Sequence, residues 1–154
     1  MKSQTEIVIE TLKFYNASNR GYNKDGDHCT YYDEATGNKC AVGRCIDDSK
    51  IESVSDCEKE SIKNTGGSPN VENLDSFFKG IDNLLKPEYH GHSVGFWESL
   101  QYIHDCTHFW DEDGFVADEH NIRYIKICFG EKIADAVKEA FSNDRDPSLL
   151  EKTA

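Results

Sequence analysis

His104-Asp105-Cys106-Thr107-His108 sets two imidazoles four residues apart, the spacing with which two histidines on one helical face bind a single zinc ion. The pattern invites comparison with the His-Glu-x-x-His helix of metalloproteases, where the glutamate is the general base. Here that position holds Asp105, one methylene shorter, and spacing assigns no third ligand, although His90, His92 and His120 are at hand. A core or capping role for His104 and a rim position for His108 compete with the metal and are favoured.

Other groups raise chemistry more faintly. His28, Cys29, Cys40 and Cys45 have the ligand types of a tetrahedral zinc knot, but they lack the close Cys-x-x-Cys pair that makes such a signal strong, and packed thiols are the favoured account. Asp111-Glu112-Asp113-Gly114-Phe115-Val116 mimics the middle of a calcium loop. Registered on Gly114, its first and twelfth positions are Phe109 and His120, which leaves too few oxygen ligands, so a capped turn is expected. Cys45, Cys57 and Cys106 are conceivable nucleophiles. Cys106 and His104 are two apart and point in different directions on a helix, so they are poorly placed to act together. Gly66-Gly67-Ser68 before a helix could cradle an anion but lacks the lysine and threonine of a P-loop. The expectation is therefore no cofactor, with zinc at His104 and His108 as the competing possibility.

The chain has 154 residues and a formal net charge of −12. That charge argues against direct nucleic-acid binding, which needs Lys and Arg to displace counterions from phosphates, and against an anionic membrane surface. Acids are spread over Asp47, Asp48, Glu52, Asp56, Glu58 and Glu60, and again over Asp111, Glu112, Asp113, Asp118 and Glu119. Such spreading reads as a solvated face rather than as a DNA-mimicking surface. No leader-like start and no apolar run near the ~18 residues of a membrane span is visible, so the expectation is a cytoplasmic protein whose six cysteines are reduced.

The positioning elements follow from periodicity. Ser3-Gln4-Thr5-Glu6 has capping-box spacing, and Val8, Leu12 and Tyr15 predict an amphipathic helix of about four turns ending near Asn19-Arg20-Gly21. After a loop over 21–27, Cys29, Tyr31 and Tyr32 predict a strand up to a turn around Thr36-Gly37-Asn38, and Cys40 to Val42 a second strand; a turn centred between Glu34 and Ala35 would set Cys29 and Cys40 opposite each other. Ile51, Val54, Glu58 and Ile62 suggest a helix over 49–63. Ser68 and Pro69 start another, whose stripe runs Val71, Leu74, Phe77, Phe78, Ile81, Leu84 and Leu85 to a stop at Lys86-Pro87. Ser93 caps a central helix carrying Phe96, Trp97, Leu100, Ile103 and His104, with Trp110 as a further candidate for its stripe. Asp111 to Gly114 turns the chain into helices through Ile122, Ile125 and Phe129, where a strand is the alternative, and through Ile133, Val137, Ala140 and Phe141, jointed at Gly130. The fold expected is a single mainly helical α+β domain over 1–154, with about five helices around one core and a small N-terminal β-hairpin.

On these residues the chain resembles a family of short uncharacterised proteins of bacteria and their phages. The shared outline is a Cys-x-Tyr hairpin with a Gly-x-x-Cys-Ala-x-Gly second arm, then a helix with Leu-Gln-x-x-His-Asp. Here these are Cys29, Tyr31, Gly37, Cys40, Ala41 and Gly43, followed by Leu100, Gln101, His104 and Asp105. Arg44-Cys45 departs from the apolar residue usual after the hairpin glycine, and the segment from Asp47 to Gly67 is longer and more polar. The resemblance implies a setting of phages and mobile elements. With it, the expected function is a non-enzymatic interaction protein that binds and modulates a host protein of the defence or nucleic-acid-processing class. A small metal-dependent hydrolase or nucleotide-processing enzyme using His104 and His108 is the alternative, and an acidic DNA mimic the next.

Overall fold

The computed structural model describes residues 1–19, 22–23, 28–29, 39–52 and 69–142. Among them are six α-helices, α1 (Gln4–Phe14), α2 (Asp48–Glu52), α3 (Pro69–Phe77), α4 (Val94–Asp105), α5 (Glu119–Phe129) and α6 (Glu131–Ser142). Two short antiparallel ribbons join β1 (Tyr22–Asn23) to β2 (His28–Cys29) and β3 (Trp110–Asp111) to β4 (Gly114–Phe115). The class is the mainly helical α+β one that periodicity predicts. No helix among the described residues is long and apolar enough to cross a membrane.

The Ser3 hydroxyl starts α1 by accepting the Glu6 N–H at 3.1 Å, one of the four donors a helix start leaves orphaned. Ile7, Val8, Thr11 and Leu12 form the buried stripe. The helix stops a turn earlier than predicted because two asparagines offer the backbone a rival partner. Asn16 Oδ1 accepts the N–H groups of Ser18 and Asn19, and Asn19 Nδ2 donates to the Phe14 carbonyl at 3.0 Å.

Of the expected hairpin's first arm, only Cys29 lies among the described residues. Cys29 pairs across the ribbon with Tyr22, and His28 with Asn23, so a strand begins inside the stretch assigned to a loop. Cys40 to Val42 is not a strand. It leads into a 3-10 turn over Gly43–Cys45, with the Arg44 N–H on the Cys40 carbonyl at 2.9 Å. Tyr31, the Thr36-Gly37-Asn38 turn, most of the helix expected over 49–63 and the Ser68 cap lie outside the described residues.

Pro69 opens α3 as expected, but the apolar stripe to Leu85 is not one helix. Gly80, at φ 123°, supplies a positive φ that side-chain-bearing residues rarely adopt. The Asp75 carboxylate then takes the Ile81 N–H at 2.8 Å. A 3-10 turn over Ile81–Asn83 follows, and Leu85 pairs with Ile46. Ile81, Leu84 and Leu85 are buried all the same.

Ser93 caps α4 through the Phe96 N–H at 3.1 Å, and Phe96, Trp97, Leu100, Ile103 and His104 are its buried face. Trp110 lies beyond that helix on β3 and donates its indole N–H to the Ile103 carbonyl at 2.9 Å. Asp111 Oδ1 closes the β3–β4 turn by accepting the N–H groups of Asp113 and Gly114. Asp118 caps α5 through the Asn121 N–H at 2.8 Å, so 122–129 is helix and not strand. α6 packs against α5 and α1, and α3 against α4, around a core whose largest members include Trp97, Tyr15, Phe109 and Phe115.

Candidate functional site

The two separated motif segments meet in the interior. Gln101, on the buried face of α4, is 0% exposed. Its Oε1 accepts the N–H of Val42 at 3.2 Å, and its Nε2 donates to Asp105 Oδ1 at 2.7 Å. The same carboxylate oxygen lies 2.9 Å from His104 Nδ1. An ionised carboxylate only accepts, so this contact places the proton on Nδ1. Tyr15 packs edge-on against the His104 ring with centroids 4.7 Å apart and donates its hydroxyl to the Lys39 carbonyl at 2.6 Å. Burial pushes that hydroxyl's pKa well up. Tyr15 thus ties the residue preceding Cys40 to the helix that carries His104.

The thiols at this junction are structural in geometry. Cys40 Sγ accepts the Gly43 N–H at 3.4 Å, and Cys45 donates to the Ala41 carbonyl at 3.4 Å. Burial pushes the Cys45 thiol up to about 12, which keeps it protonated near neutrality and poor as a nucleophile. Cys57 and the side chains of His28 and Cys29 lie outside the described residues.

His104 and His108 do not form the pair their spacing suggests. α4 ends at Asp105 and Cys106 is extended, so the two histidines share no helical face. His104 is buried, whereas His108 is exposed in the 3-10 turn Thr107–Phe109. His108 instead lies beside His120 of α5, with ring centroids 6.0 Å apart. Asn121 makes that neighbourhood by donating its side-chain N–H groups to the carbonyls of His108 at 3.2 Å and Val116 at 2.8 Å. His90 and His92 are held elsewhere, by the carbonyls of Leu85 and Lys2. Among the described residues there is no group of three or more His, Cys, Asp or Glu that could hold a metal ion.

A charged network that spacing did not reveal surrounds Glu10. Its carboxylate accepts from Lys2 Nζ, Arg44 Nη1 and, at 2.5 Å, the Tyr89 hydroxyl. Arg44 Nη2 also donates to Thr11 Oγ1 at 2.9 Å, and the guanidinium lies 5.4 Å from the Phe14 ring centre and 5.7 Å from that of Tyr89. Burial raises the Glu10 pKa, but the three donors outweigh it and hold the carboxyl down to about 2. Arg44 is the residue that knits α1 to the Gly43–Cys45 turn. No protein-family model, curated protein or solved structure matches this chain.

Proposed function

We propose that this protein is a non-enzymatic interaction protein that binds a basic surface on a host protein and modulates it. The observation that carries the reading is a one-signed stretch of chain. Between Lys86 and Arg123 lie Glu88, Glu98, Asp105, Asp111, Glu112, Asp113, Asp118 and Glu119, with no Lys or Arg among them. Glu112, Asp113, Asp118 and Glu119 are exposed, grouped at the β3–β4 turn and the start of α5. Acids without interspersed cations set up a negative potential that speeds encounter with positive partners and rejects negative ones. Proteins that grip nucleic-acid backbones carry such positive surfaces, which makes nucleic-acid-processing and defence factors the fitting class. The phage and mobile-element setting is drawn from the resemblance alone.

Burial of His104 and Gln101, both bonded to the partly exposed Asp105, gives secondary support, since their hydrogen bonds serve packing rather than a substrate. The test is affinity capture from bacterial lysate at low and raised salt, followed by reconstitution with the purified partner. A stoichiometric partner should be recovered whose binding weakens with salt and with the combined substitution E112K, D113K and E119K. Recovery of no such partner, or binding indifferent to charge reversal, sinks the reading. Displacement of duplex DNA from the partner would locate the contact in its phosphate-binding groove.

A further inference from the structure

We propose that His108 and His120 form a two-imidazole site for a divalent transition metal ion, zinc in the first instance. Metal–imidazole bonds are about 2.0–2.1 Å, and a ring nitrogen lies about 1.1 Å from its ring centre, so two rings on one ion have centres at most about 6.4 Å apart. The observed 6.0 Å lies inside that limit, and tetrahedral angles need a closure of about 1 Å. Both residues are exposed, and because the His108 ring rests on Phe109 with centroids 4.1 Å apart, rotation of the His120 side chain supplies most of that closure.

The backbone beneath is fixed. Asn121, 1% exposed, hydrogen-bonds the carbonyls of His108 and Val116 from the position next to His120. Phe109, 0% exposed, anchors the other neighbour of His108 in the core. The rings are therefore carried on two supports that cannot drift apart, which is what makes a pair of ligands a chelate rather than two independent sites. The uncompensated acids Glu112, Asp113 and Asp118 belong to the same stretch of chain and raise the local concentration of cations. Neutral imidazole suits zinc, nickel and copper. With two protein ligands, the remaining coordination positions stay open to water or to a ligand side chain of a partner. The site stands apart from the binding reading above, since it needs no partner to form.

The experiment is calorimetric titration of the full chain with Zn2+ under phosphine reductant, for the wild type, His108→Ala, His120→Ala and the double variant, with histidine ring resonances followed by NMR. Each single substitution should weaken zinc binding on the order of 100-fold, and the double variant should be little worse than either single one, because one lost ligand already abolishes chelation. The ring signals of His108 and His120 should move together at one equivalent of metal. Both histidines are exposed, so the variants fold and a loss of affinity is not a loss of structure. Single variants within about threefold of wild type, or losses that simply add in the double variant, would overturn the assignment.

Discussion

Gln101 and Val42, 59 residues apart in the chain, are joined by a buried hydrogen bond from the Val42 N–H to the glutamine side-chain oxygen. A turn that has no strand partner for this N–H has borrowed one from a helix. The same glutamine orients Asp105, and Asp105 orients His104. One side chain therefore connects the Cys40-Ala41-Val42-Gly43 turn to the Leu100-Gln101-x-x-His104-Asp105 helix.

Gln101→Leu keeps the bulk and removes both polar ends. It strands a buried N–H and takes a donor from Asp105, and the expected loss is about 2–3 kcal/mol. Urea denaturation should show a lower midpoint with an unchanged slope. A midpoint equal to wild type would mean that the bond contributes nothing net.

Glu10 gives acid sensitivity with a defined sign. Its folded pKa of about 2 lies below the ordinary 4.5, so its contribution is complete above about 4.5 and disappears as pH falls through about 2. The side chain is 29% exposed, and solvent screening reduces the contribution to about 1–2 kcal/mol. Glu10→Gln should flatten the stability curve between pH 5 and 2 by roughly that amount. A variant whose acid unfolding superimposes on wild type would contradict the network.

Cys45 behaves oppositely at high pH. Its thiol is raised from 9.0 to about 12 by burial, so the stability it confers is full below 9.0 and is lost as pH rises toward 12. Under native conditions an alkylating reagent should modify the partly exposed Cys106 and Cys128 well before Cys45, which becomes reactive only on unfolding. Peptide-resolved mass spectrometry reads the order, and Cys45 labelling as fast as Cys106 would refute its burial.

Gly130 joins α5 to α6 at φ 96° and ψ 167°, a region essentially closed to residues with a β-carbon. A β-carbon there would meet nothing within 4 Å, so Gly130→Ala tests backbone strain alone. The expected cost is about 1–3 kcal/mol, and Gly130→Asn should be no milder because the conformation is not the left-handed helical one that asparagine tolerates. A melting temperature equal to wild type in both variants would rule out that strain.

Local signals were legible where the competing interactions are also local. The Ser3 and Ser93 caps, Pro69 as a helix start, the joint at Gly130 and the buried stripes of α1, α4 and α6 all depend on residues within a turn or two of each other. Errors arose where a side chain outbid the regular backbone pattern. The asparagine pair ended α1 early, and Asp75 with Gly80 broke a stripe that reads as one helix. The Cys40–Val42 segment has the composition of a strand, yet the Val42 N–H is bound by Gln101 rather than by a ladder.

By itself the sequence determined the class, the helical faces that are apolar, and the sign of the surface, because periodicity and charge are properties of the chain alone. Only the tertiary structure decided which distant groups became neighbours. It separated His104 from His108 by ending α4 at Asp105, set His108 beside His120 through Asn121, and gathered Glu10, Arg44 and Tyr89 into one network. The physical reason is that a hydrogen bond or ring contact depends on distances of a few ångströms, and folding, not spacing along the chain, sets those distances for residues tens of positions apart.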